Sequence, residues 1–329
     1  ELALGPRGGQ LTTQNWQAGI PERDLLRAPI DLTNLNATLS WWQPSNGGLR
    51  LSAPRISAQW LGSAVNASGQ VWRRPEQTDW VDIQADYAGA TTAAVLGHLP
   101  VGIMHPNLPG WLDRAIEGGS LSAASLRLFG PLADFPFDQG RGLFDLRTAI
   151  DGVDFRFNPQ WGGFSDADAQ LRFRNRGMRI DVAGADIGGL ALTSAQARID
   201  DLWAPELRVE GQFSGELEQM QAYLQATPLP AAKGLNALRM AGEGALDLAG
   251  FFPFQQRPPQ VSGALQVNGA EFALDALDQP FEAVRGVINF DQAGLNSQGL
   301  RAQFAGVPVI AQATTQGQGD AARIRVDAT

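Results

Sequence analysis

The chain has 329 residues, enough for two or three ordinary domains and for a large core. Its 38 glycines and 20 prolines, set against only 18% charged residues, suit a turn-rich β chain better than a helical one. A net charge of −9 argues against nucleic acid or an anionic membrane surface as a partner, and the lack of cysteine removes disulfides, thiolate zinc sites and cysteine nucleophiles.

In chain order, the first strand signals are Ala37, Leu39 and Trp41, apolar at every second position, then Leu49 and Leu51 beyond the turn at Asn46-Gly47-Gly48. Val81, Ile83 and Ala85 continue the pattern. A short helix is predicted from Thr92 to Leu99, stopped by Pro100. A second follows, with Asn107 as cap, Pro109 in the first turn, and Leu108, Trp111, Leu112, Ala115 and Ile116 at helical spacing until Gly118-Gly119. After the turn Asp151-Gly152, Val153, Phe155 and Phe157 alternate with polar residues. The clearest hairpin joins Leu171 and Phe173 to Met178, Ile180 and Val182 through the turn Asn175-Arg176-Gly177. A third helix is read from Ser214 through Leu217, Met220 and Leu224 to a crossover at Pro228-Leu229-Pro230. Val287 to Phe290 and Ile324 to Val326 close the series, giving roughly fifteen antiparallel strands. Because the chain starts at Glu1 without methionine and stops at Thr329 in strand-like sequence, it reads as a piece of something longer.

A stretch of the chain is echoed 117 residues further on. Phe135-Pro136-Phe137 returns as Phe252-Pro253-Phe254, and Phe155, Phe164, Phe173, Gly177 and Gly189 return as Phe272, Phe281, Phe290, Gly294 and Gly306. Leu171, Met178, Leu190 and Leu192 match Ile288, Leu295, Val307 and Val309. What recurs is apolar residues and turn glycines, with no string of catalytic groups, as in modular repeat folds. The expected division is an imperfect first repeat over 1–100, a second with an N-terminal helix over 101–228, and a truncated third over 229–329.

One-sided apolar strands must bury that face, and three short helices cannot cover so many. Either the sheet closes over itself as a sandwich, or it stays open as a trough whose apolar lining holds an apolar ligand. Periodicity is the same for both.

Chemistry-bearing motifs are missing. There is no phosphate-binding glycine loop and no nucleophile elbow, so no enzyme and no cofactor is expected. His98 and His105, beside the first crossover, have no carboxylate between them and read as polar loop residues rather than metal ligands. Asp166, Asp168, Asp200 and Asp201 lack the glycine and glutamate of a calcium loop and read as solvated carboxylates. Arg172, Arg174, Arg176 and Arg179 read as a solvated outer face, with a lipid-headgroup rim as the alternative.

Leu99 to Met104, Leu108 to Ile116 with its Pro109-Gly110-Trp111, and Phe129-Gly130-Pro131 with Asp134 to Phe137 resemble the AsmA-like proteins of Gram-negative bacteria, nearest their YhdP branch. The resemblance extends through Phe155 to Trp161 and the 171–182 hairpin. It implies a mainly β fold: a long, twisted antiparallel sheet of stacked repeats, curled into a U-shaped groove, with short helices at the crossovers. It further implies a periplasmic location as part of a longer protein anchored in the inner membrane, and a bridge carrying glycerophospholipid to the outer membrane. The partners it implies are phospholipid acyl chains, with inner- and outer-membrane proteins reached through other parts of the protein.

On that basis the groove lining is expected at Phe155, Phe157, Phe164, Leu171, Phe173, Met178, Ile180, Val182, Phe272, Leu274, Phe281, Ile288, Phe290, Leu295 and Val309. Two other readings stand beside it. One is a structural or regulatory envelope scaffold with a closed core. The other is a carbohydrate-binding repeat adhesin using Trp41, Trp42, Trp60, Trp72 and Trp80 as sugar platforms.

Overall fold

The structure is a computed structural model that describes residues 1–45, 47–73, 75, 78–156, 162–226, 238–253, 257–316 and 323–329. Asn46, Phe157, Trp161, Pro228, Pro230, Lys233 and Phe254 lie outside the described residues. The chain is mainly β, with twenty strands among the described residues and hydrogen-bonded antiparallel ladders. It divides into two compact units.

Unit one comprises 1–153, 168–180 and 200–203. It opens with β1 (Leu2–Gly5), β2 (Gly8–Ile20), β3 (Ile30–Trp42), β4 (Leu49–Trp60), β5 (Ser63–Arg73), β6 (Trp80–Tyr87) and the two-residue β7 (Ala90–Thr91). Helices α1 (Thr92–Leu96) and α2 (Leu108–Ala115) form the crossover to β8 (Ser120–Pro131). Each strand from β1 to β6 pairs with the next, and β6 pairs with β8. The crossover is strapped by the β2–β3 connection. Arg27 donates to Leu96 O at 2.9 Å and pairs with Asp113 at 2.8 Å, while Gly102 N donates to Leu25 O at 2.9 Å.

Three strands supply residues to both units: β9 (Leu143–Phe155), β10 (Phe164–Arg174) and β11 (Gly177–Ile187). Unit two comprises 154–167, 181–199 and 204–329. It adds β12 (Leu190–Ile199), β13 (Glu206–Glu216), α3 (Leu217–Ala226), β14 (Leu238–Ala241), β15 (Glu243–Pro253), β16 (Gln260–Leu274), β17 (Phe281–Asp291), β18 (Gly294–Phe304), β19 (Val307–Gln316) and β20 (Arg323–Ala328). Its core gathers Ile187, Leu190, Leu217, Met220, Met240, Leu246, Val267, Ala270, Phe272, Val284 and Ala302.

The sequence echo is an echo of structure. Strands β10, β11 and β12 begin at Phe164, Gly177 and Leu190, and β17, β18 and β19 begin 117 residues later at Phe281, Gly294 and Val307. Backbone irregularities recur too. Left-handed residues stand at Gly152 and Gly269, at Asp166 and Ala283, and at Gly188-Gly189 and Ala305-Gly306. Residues of this kind bulge or turn a strand and sharpen its twist. Thus the copied feature includes the places where the sheet bends.

Several expectations need correction. Twenty strands replace about fifteen: the first 42 residues, silent in periodicity before Ala37, already hold β1 and β2, and strands as short as β7 and β14 add to the count. The first helix stops at Leu96, not Leu99. In α2, Asn107 is the cap residue but its side chain makes no capping bond. The third helix starts at Leu217, because 206–216 stay in ladder with β15 through Glu216 opposite Glu243.

Candidate functional site

Residues directly opposite in an antiparallel ladder share a face, so registers show which side each residue lines. In unit one, Leu39 faces Leu11, Trp41 faces Leu51, Leu51 faces Val71 and Val71 faces Val81. Ile83 faces Leu128, and Leu128 faces Phe144. One face of this unit is therefore apolar from strand to strand. Val81 is buried on this face, whereas Leu51, Val71, Ile83, Leu126, Leu128 and Leu146 are only half-buried. A face closed into a sandwich core would bury such residues fully.

The opposite face is polar. Arg127 stands across from Asp145 and bonds Asp82. Arg172 donates to both oxygens of Asp145 at 2.8 and 2.6 Å, and Arg147 to Oδ2 at 3.0 Å. The hydrogen bonds from Arg172 hold the Asp145 carboxyl below its ordinary 3.8, at about 2, against the opposing effect of burial.

In unit two the same arrangement holds. Phe213 faces Leu246, Leu246 faces Leu265, and Leu265 faces Ile288. Phe272 faces both Met240 and Phe281, and Phe290 faces Leu295. This face holds an open, apolar cavity. Its walls are Leu238, Phe272, Leu274, Phe281, Val284, Ile288, Leu295, Leu300, Ala302, Ala311, Ala313, Ile324 and Val326. Every one is apolar, so the cavity offers no directed hydrogen bond and suits a flexible hydrocarbon.

Helix α3 closes one end of this face. Leu217 and Met220 are 0% and 2% exposed, and a Cβ on Gly244 would collide with Leu217. Burial pushes the Tyr223 hydroxyl up to about 12. Gln221 bonds the β14 backbone as a neighbouring strand would: its Nε2 donates to Leu238 O, and Met240 N donates to its Oε1 at 3.3 Å.

Of the lining residues expected from sequence, Phe272, Leu274, Phe281, Ile288 and Leu295 border the cavity. Phe164, Phe290 and Val309 pack against the core of unit two without bordering it. Phe155 stacks on Phe164 with ring centroids 6.5 Å apart. Val182, also in unit two, is half-buried and away from the cavity walls. Leu171, Phe173, Met178 and Ile180 belong to unit one and are half-buried there. Phe157 lies outside the described residues.

Sequence reading missed Leu238, Val284, Leu300, Ala302, Ala311, Ala313, Ile324 and Val326. Period-two continuation reaches some of these: Ala311 and Ala313 follow Val309 in step. Val284 is out of step with Phe281, because the left-handed Ala283 shifts the register of β17.

The remaining polar candidates are structural. His98 Nδ1 lies 2.9 Å from Ala94 O, and Asn107 N donates to His105 at 3.3 Å. Asp168 accepts from Gly152 N and Asp201 from Trp203 N, at 3.0 and 2.9 Å. Arg176 pairs with Asp138 and Asp201. Among the described residues no group of three His, Cys, Asp or Glu is placed to hold a metal, and no helix is long and apolar enough to cross a membrane.

A protein-family model described as YhdP protein matches residues 1–329. The chain is 25% identical, over 330 residues, to a protein of Escherichia coli (strain K12) named "Intermembrane phospholipid transporter YhdP". The alignment covers 99% of this chain but 26% of that relative, so the chain spans about a quarter of its length. No solved structure matches the chain.

Proposed function

The chain belongs to the YhdP family, and from that premise we propose that it is one length of an apolar path along which glycerophospholipid moves between two membranes. The observation that carries this reading is the open cavity of unit two, walled by thirteen apolar side chains on a face that half-exposes its neighbours. Acyl chains lie along this face, each buried CH₂ contributing about 0.8 kcal/mol. Headgroups remain in water at the opening. Because the lining is non-directional, a chain slides along it against small barriers.

The fifteen lining residues expected from sequence serve this role in the proposal, with Phe272, Phe281, Ile288 and Leu295 closest to the cavity. The repeats over 1–100, 101–228 and 229–329 are successive lengths of the same path. The chain works in the periplasm as part of a longer, membrane-anchored protein, whose other parts meet membrane proteins at either end. No catalytic step is involved, in keeping with a relative named as a transporter.

The test is direct. The purified chain should carry phospholipid detectable by mass spectrometry and should bind a fluorescent phospholipid. Ile288→Glu and Leu295→Glu place a charge at half-buried cavity walls and should reduce loading at least ten-fold while far-UV circular dichroism stays unchanged. Absence of lipid together with no uptake of the fluorescent analogue overturns the reading. Unfolding by both variants favours a closed core instead.

A further inference from the structure

We propose that the polar face of unit one carries a binding row for a neutral, β-linked glycan strand. Trp42, Trp72 and Trp80 lie on the side opposite the apolar face, and the ladders set them abreast: Trp42 faces Arg50, Arg50 faces Trp72, and Trp72 faces Trp80. This row crosses β3, β4, β5 and β6. Trp42 lies over β2, its Cε3 3.2 Å from the place a Gly8 Cβ would occupy, and it is still 53% exposed. The Arg50 guanidinium sits 5.2 Å from the centre of the Trp72 ring and donates to Gln70 Oε1 at 2.6 Å.

Two residues along each strand runs a second row on the same face, in which Ser40 faces Ser52, Ser52 faces Gln70, and Gln70 faces Asp82. An indole platform beside a line of hydroxyl, amide and carboxylate groups is complementary to a sugar. The ring C–H face stacks on the aromatic surface, and the hydroxyls at the ring edge find donors and acceptors. The spacing fits an extended strand. Along the backbone, Trp42 and Trp72 are two strand separations apart, about 10 Å, on the order of one disaccharide of a β-linked chain. A net charge of −9 favours a neutral strand over an anionic one.

This row is separate from the proposed lipid path, since it lies on the polar face of unit one, opposite that unit's apolar face, and the cavity belongs to unit two. Isothermal titration of the 329-residue chain with N-acetylchitohexaose tests it. Binding is expected, weakened about ten-fold or more by Trp42→Ala and by Trp72→Ala, largely kept by Trp72→Phe, and unchanged by Trp203→Ala, which removes an exposed indole elsewhere. Fluorescent-lipid uptake by the two row variants should equal that of the unaltered chain. No detectable binding, or equal binding by the row variants, overturns the proposal.

Discussion

Asp145 is 8% exposed on the polar face of β9, between Arg147 on its own strand and Arg172 on β10. Removing either arginine would leave a nearly buried carboxylate less satisfied, which is the costly half of a buried ion pair. With the folded carboxyl held at about 2 rather than 3.8, its contribution is present above the unfolded value and is lost as pH falls from about 4 towards 2. The two arginines are 60% and 37% exposed, so solvent screening reduces the contribution to about 1 kcal/mol. Asp145→Asn should therefore be less stable at neutral pH but lose less on acidification. Urea unfolding at about pH 6 and about pH 3 measures this, and equal pH slopes for the two proteins would sink the argument.

At the scale of elements, α3 does what a missing strand would do. β14 pairs on one side with β16, and its other edge meets the Gln221 amide at Leu238 O and Met240 N. Gln221→Leu keeps the bulk but strands both backbone groups, at a cost of about 1–3 kcal/mol. The Met240 amide should then exchange with solvent faster than in the unaltered chain, and unchanged protection would show that the helix only covers the edge. No sequence pattern announces this contact: a glutamine on a helix is ordinarily a solvent residue. By contrast, the strands around it were legible. Leu171, Phe173, Met178 and Ile180 alternate cleanly, and Gly188-Gly189 marks a hairpin that the structure forms. Legibility ended at bulges. Alternation from Phe281 points to Ala283, whereas the ladder brings Val284 opposite Ala270, and a left-handed alanine is not readable from its neighbours. The cavity was thus partly visible, through Phe272, Leu274, Phe281, Ile288 and Leu295 and through the step from Val309 to Ala311 and Ala313, while Ala302 carried no signal of its own.

For the whole molecule, connectivity is that of a repeat fold: the ladders join sequence neighbours or near neighbours, and the repeat length sets the strand boundaries. Stability in such a chain is a sum over local terms, so the two compact units are not obliged to unfold together. The tryptophans offer a built-in reporter. Of the nine in the chain, Trp16, Trp41, Trp42, Trp60, Trp72, Trp80, Trp111 and Trp203 belong to unit one, and Trp161 lies outside the described residues. Intrinsic fluorescence therefore follows mainly unit one, which holds eight of the nine, while far-UV circular dichroism follows the strands of both. In urea the two signals should give separate midpoints. Phospholipid binding in the cavity of unit two should raise the dichroism midpoint more than the fluorescence midpoint, because a ligand stabilises the part that holds it. Superimposable transitions, with and without lipid, would mean that the chain unfolds as one cooperative body despite its repeats.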